Sequence, residues 1–196
     1  MPPLFARDPP EKFAMEATSQ PSPPSGDDLL WLDRLSLADP HRARKSMQAI
    51  WTRGFDRDQL TVLSKRLETH LEESGDPDTT ISNFSRFIQA SHDPNALLAL
   101  LAADEAALTA LLQVLTNSPS LANRLVADPD SFDLMRASDG QPVSLEELRD
   151  ELANELAEVD QQGRAAVLIR KFYSREVMRI AYSEFVRGLS PEKVGR

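Results

Sequence analysis

The stretch Ile169-Arg170-Lys171-Phe172-Tyr173-Ser174-Arg175-Glu176-Val177-Met178-Arg179-Ile180-Ala181-Tyr182 decides how the chain is read. Ile169, Tyr173, Val177 and Ile180 recur at the three-and-four spacing of an amphipathic helix, and Leu168, Phe172 and Ala181 widen the stripe. The spacing predicts a helix with this stripe inward, Phe172 and Ile180 as buried anchors, and Arg170, Lys171, Arg175 and Arg179 on the polar side. The fold class this implies is all-α, an irregular multi-helix bundle.

Working outward, the same helical text recurs between strong start signals. Asp93-Pro94 opens a run through Leu97, Leu98, Leu100 and Leu101, Asp104 opens one through Leu108, Leu111, Leu112 and Leu115, and Ser118-Pro119 opens one through Leu121 and Leu125. A capping side chain followed directly by proline satisfies orphan amides and presets the first turn. Ser144-Leu145-Glu146-Glu147 has the spacing of a capping box, heading a helix to about Asp160, and Asp139-Gly140 before it reads as a turn. Earlier, His41 to Arg53 and Arg57 to Glu73 are helical, with Met47, Ile50 and Trp51 on one stripe, Leu60, Leu63, Leu67 and Leu71 on the other, and Gly54 between them. Gly75-Asp76-Pro77-Asp78 stops the second helix, and Thr79 or Thr80 is placed to cap a third that carries Ile81, Phe84, Phe87 and Ile88 inward.

Half of the 14 prolines fall within residues 1–28, where a backbone so poor in amide donors cannot sustain a helix or a ladder. This segment is expected to be a disordered leader. Asp27 or Asp28 then caps the short apolar element Leu29-Leu30-Trp31-Leu32. The organisation that follows is a leader over 1–28, an N-terminal helical hairpin over 29–78 and a main bundle over 79–196.

Composition narrows the class of function. A chain of 196 residues, 41% hydrophobic and 27% charged, is long enough for one real core. It contains no cysteine, which removes disulfides and thiolate metal sites, and its net charge of -9 disfavours a nucleic-acid binder. There is no apolar run of membrane-spanning length and no signal peptide core, so no membrane association and a cytoplasmic location are expected.

The order Ile169-Arg170-Lys171-Phe172, Arg175-Glu176, Met178-Arg179-Ile180-Ala181 resembles a basic helix of the bifunctional glutamine synthetase adenylyltransferase/adenylyl-removing enzyme family. Weaker upstream segments agree: Asn83-Phe84-Ser85-Arg86-Phe87, the leucine-rich Leu97 to Leu115, Ser118-Pro119-Ser120-Leu121-Ala122 and Asp128-Pro129. The likeness spans Ile81 to Gly188 and places it in the helical region that precedes the family's first nucleotidyltransferase domain. What it implies is regulation of nitrogen assimilation, by adding an adenylyl group to glutamine synthetase or removing it, with ATP and magnesium used in catalytic domains. Those domains carry a Gly-Ser turn followed by paired aspartates on a strand, a hard oxygen site suited to magnesium.

No such motif is present here. Asp56-Arg57-Asp58, Asp76-Pro77-Asp78 and Asp128-Pro129-Asp130 lie in helical text and read as helix starts. His41, His70 and His92 are isolated, and neither a Gly-x-Ser-x-Gly elbow nor a phosphate-cradling glycine loop occurs. No catalytic, cofactor-binding or metal-binding residue is therefore expected, and the chain alone is expected to be inactive. The residues left with a functional reading are Arg170, Arg175 and Arg179, as a docking face for glutamine synthetase or a separate nucleotidyltransferase fragment. The plainer reading of that face is a solvated helix side whose arginines pair with the acidic surface of Glu146 to Glu158. Two functions fit: the non-catalytic helical scaffold of a truncated or split adenylyltransferase, or a free-standing helical interaction module with no enzymatic context.

Overall fold

Four of the described helices start on a local signal, a capping side chain followed by proline. The computed structural model describes residues 26–51, 56–138, 141, 143–158, 162–185 and 188. Within them α1 (Pro40–Trp51), α3 (Pro77–Ala90), α4 (Pro94–Ala103) and α6 (Pro119–Ala127) all begin on proline. The preceding side chains accept from main-chain amides: Asp39 from Arg42 at 2.9 Å, Asp76 from Thr79 at 3.0 Å, Asp93 from Ala96 at 3.0 Å and Ser118 from Leu121 at 3.4 Å. Asp76, rather than Thr79 or Thr80, therefore caps α3. Thr80 lies inside the helix and meets Thr116 at 2.9 Å.

The remaining elements are α2 (Arg57–Glu72), α5 (Glu105–Asn117), α7 (Ser131–Ser138), α8 (Leu145–Ala157) and α9 (Gln162–Phe185), with a 3-10 helix at Gly26–Arg34. No strand occurs among the described residues; the fold is all-α. Gly54, Asp139 and Gly140 lie outside the described residues, as does the expected leader over 1–25. Residues 26–28, assigned to that leader from sequence, already belong to the 3-10 helix. Pro24 is the last proline before Pro40, so main-chain donors are available from there on.

The core crosses the boundary expected at residue 78. Helix α1 lies on α3 and α2 on α4, so the first two helices pack against the bundle rather than forming a separate hairpin. A single apolar cluster runs from Leu29, Trp31 and Leu32 through Met47, Ile50, Leu63 and Leu67 to Met178 and Tyr182. Helix α5 is its axis, with Leu108, Leu111, Val114 and Leu115 fully buried. Each such side chain contributes about 1.5–3 kcal/mol on leaving water. Phe87 and Phe132 meet edge to face at 5.7 Å, joining α3 to α7.

Polar residues of the Asn83–Phe87 segment make joints between helices. Asn83 Nδ2 donates to the Leu115 carbonyl at 3.1 Å, Ser85 Oγ to the Ser46 carbonyl at 2.8 Å, and Arg86 to the side-chain oxygens of Asn83 and Asn123 at 3.1 and 3.0 Å. These bonds tie α3 to α1, α5 and α6. Among the described residues no single helix is long and apolar enough to cross a membrane.

Candidate functional site at the α8–α9 pair

Helix α9 carries apolar residues on nearly every side, and this decides which side faces the core. Phe172, Met178, Ala181 and Tyr182 are buried, with Val177 and Phe185 packed against the core edge. Ile169, Tyr173 and Ile180 are 46%, 60% and 38% exposed. The stripe expected inward from sequence is thus divided: Phe172 and Ala181 are buried and Val177 packs at the core edge, but Ile169, Tyr173 and Ile180 face outward, so Phe172 is an anchor and Ile180 is not. Successive helical residues are about 100° apart, and the inward face here runs through Phe172, Arg175, Arg179 and Tyr182. Two arginines on that face hid it from a count of apolar residues.

Arg179 is 6% exposed, which removes it from any docking rim. Its Nε and Nη2 approach Glu176 Oε2 at 2.8 and 2.6 Å, and its Nη1 donates to the Gln141 carbonyl at 2.7 Å. Arg175 Nη2 donates to Glu151 and Glu155 of α8 at 2.7 and 3.1 Å, its Nε lies 3.7 Å from Glu176, and its guanidinium stands 4.9 Å over the Phe172 ring. Glu176 therefore bridges the two arginines, and Arg175 bridges the two helices. Ion pairs of this kind retain water on one side and contribute modestly, whereas the enclosed Arg179–Glu176 pair is costly to break. Arg170 stands apart, exposed and with no ion pair among the described residues. Of the three arginines expected to form one docking face, the structure brings two together as internal joints.

Beside this network lies a groove of ≈ 540 Å³ between α7 and α9, lined by the apolar Leu134, Val167, Leu168 and Phe172, by Arg164 and Lys171, and by the carboxylates of Asp128 and Glu155. Leu134 and Val167 are 50% and 51% exposed. The sequence does not show the groove, because its lining comes from α7 and α9, which α8 separates along the chain. The capping box at the start of α8 has both of its bonds: Glu147 N–H donates to Ser144 Oγ at 3.2 Å, and Ser144 N–H to Glu147 at 2.9 Å.

The aspartate triplets are engaged at helix ends, Asp56 and Asp78 by main-chain amides and Asp128 by a hydroxyl. Asp56 accepts from Asp58 N–H at 2.8 Å, Asp78 from the amides of Ala38 and Asp39 at 2.7 and 2.9 Å, and Asp128 from Ser131 Oγ at 2.8 Å. The Thr79 amide holds the Asp76 carboxyl below its ordinary value. These carboxylates sit at separate helix ends and do not fit the paired oxygen site that a magnesium–nucleotide complex requires. No group of three or more His, Asp or Glu side chains among the described residues is placed to hold a metal ion.

The class so defined is an all-α bundle whose last two helices are cross-linked by charge. Residues 108–196 match the family model of glutamate-ammonia ligase adenylyltransferase, a match that supports a likeness to a helical region of this family. Over 172 residues, 85% of the chain, the sequence is 25% identical to the bifunctional glutamine synthetase adenylyltransferase/adenylyl-removing enzyme of Corynebacterium diphtheriae. The chain spans 16% of that relative's length. No solved structure gives a match.

Proposed function

We propose that this chain acts as a non-catalytic helical scaffold in a glutamine synthetase adenylyltransferase-like system, working through protein contacts in the cytoplasm. In this reading adenylyl transfer or removal, with its ATP and magnesium, belongs to polypeptide outside these residues. The observation that carries the reading is that 85% of the chain aligns with only 16% of a relative named for both activities. The use of the aspartate triplets as helix caps and main-chain acceptors supports it further.

The test is incubation of the purified chain with labelled ATP, magnesium and glutamine synthetase, together with affinity capture from the source cell. The expected result is no transfer of label, with glutamine synthetase or a nucleotidyltransferase captured. Stoichiometric labelling of the synthetase overturns the non-catalytic assignment. Capture of neither protein overturns the scaffold assignment and leaves a free-standing interaction module as the better account.

A further inference from the structure

Helix α8 and the first part of α9 are amphipathic, yet each is only partly covered: Leu148, Leu152, Leu156 and Leu168 are half-buried, whereas Leu145 and Val167 are exposed. No residue of α8 is buried, although Leu145, Leu148, Leu152 and Leu156 form one edge of it, and Leu145 is 58% exposed. Residues 163–171 of α9 likewise include no buried side chain. A helix held in a fold by its apolar stripe needs that stripe packed against something.

The charges on these two partly covered surfaces are opposite. Helix α8 carries five carboxylates against one arginine, whereas the 162–171 part of α9 carries Arg164, Arg170 and Lys171 and no acid. Within one chain these groups do not neutralise one another. Arg175 takes Glu151 and Glu155, while Glu146 and Asp150 on α8 and Arg164, Arg170 and Lys171 on α9 have no ion pair among the described residues. The groove beside α9 is apolar within; of its charged lining residues Glu155 is paired with Arg175 and Asp128 accepts from Ser131, which leaves Arg164 and Lys171 as its unpaired cations, and α8 is a leucine-edged acidic helix of 13 residues, about 20 Å long. One molecule thus displays both an apolar groove edged by the unpaired cations Arg164 and Lys171 and an acidic helix with an exposed leucine, Leu145, at its start.

We infer that the occupant of this groove is α8 of a second copy of the chain. Two copies related by a two-fold axis seat each α8 beside the partner's α9, bringing the two hairpins together as a four-helix bundle with acidic helices against basic ones. The self-complementarity of the two surfaces favours a second copy over an unrelated partner. This assignment is independent of any catalytic context.

Sedimentation velocity over a range of concentrations tests it, using the full chain. The expected result is a monomer–dimer equilibrium that Leu145→Glu or Val167→Glu each weakens by about tenfold or more, with far-UV circular dichroism unchanged. A charge exchange decides independently of those variants. One chain carries Arg164→Glu with Lys171→Glu, the other Glu146→Lys with Asp150→Lys, all at exposed positions. Each should be monomeric alone, since its α8 and α9 surfaces then repel, and the mixture should dimerise. A parent chain monomeric at every concentration overturns the inference, as does a dimer that survives all these substitutions, or charge variants that fail to associate when mixed.

Discussion

Arg179 folds back on Glu176, three residues earlier on α9, with Nε and Nη2 on the same carboxylate oxygen, and their side chains retain only 8% and 14% exposure. Removing one partner from such a pair leaves an uncompensated buried charge, which costs about 3–5 kcal/mol. Arg179→Ala should therefore lower the urea midpoint severely. Arg179→Met combined with Glu176→Leu should recover a large part of the loss, because apolar groups of similar volume need no counter-charge. Equal destabilisation by single and double variants would show that the site depends on the Gln141 contact alone.

The exposures of α9 predict unequal costs for two apolar truncations that sequence placed on one buried stripe. Phe172 is 9% exposed and Ile180 38%. Phe172→Ala should cost about 3 kcal/mol, at the low end for an aromatic truncation because the ring borders the groove. Ile180→Ala should cost less than about 1 kcal/mol. Thermal melts of the two variants compare these directly, and a larger effect at Ile180 would reverse the orientation of the helix.

Arg175 is the cross-link that holds α8 against α9. Replacing it with Gln should destabilise the whole chain by about 1 kcal/mol or less, since the group retains contact with water. Amide exchange along α8 should nevertheless accelerate severalfold while α5 stays protected, because the leucines of α8 are at most half-buried. Unchanged protection of α8 would mean that the two glutamate contacts are incidental.

Acid should destabilise the protein through its helix caps. Asp76 is held low by the Thr79 amide, Asp104 by the Ala107 amide and then by Arg136, and Glu147 by its bonds with Ser144. A carboxyl whose pKa is depressed by folding adds stability above its unfolded value, about 4, and loses it as pH falls through the folded one. Denaturant midpoints should hold from neutrality to about pH 5 and drop below about pH 4. Asp104→Asn should shorten that drop, and a midpoint that rises on acidification would contradict the assignment.

The starts of α4, α5, α6 and α8 were legible in the sequence because Asp93, Asp104, Ser118 and Ser144 each cap an amide three residues on, within reach of a local reading. The stripes of α2, α3 and α5 were legible too, since their inward positions are almost purely apolar. Helix α9 was misread because its buried side contains Arg175 and Arg179, whose partners Glu151, Glu155 and Gln141 lie 24, 20 and 38 residues away. Only the fold makes those pairs neighbours. The pairing of arginines with the Glu146–Glu158 surface was one of two readings open from sequence, and Arg175 follows it. Arg179 follows neither, having turned inward. The family likeness rested on the order of residues in that same helix, and it did not depend on knowing which side faced the core.

Arg179 meets position 141 through the main-chain carbonyl, a group every amino acid carries. The identity of the side chain at 141 is therefore free to drift without loosening the joint between the segment before α8 and the last helix. The arginine has no such latitude, so exchanges at 141 should be nearly silent where any exchange at 179 is felt, an asymmetry between two bonded partners that a deep mutational scan would expose at once.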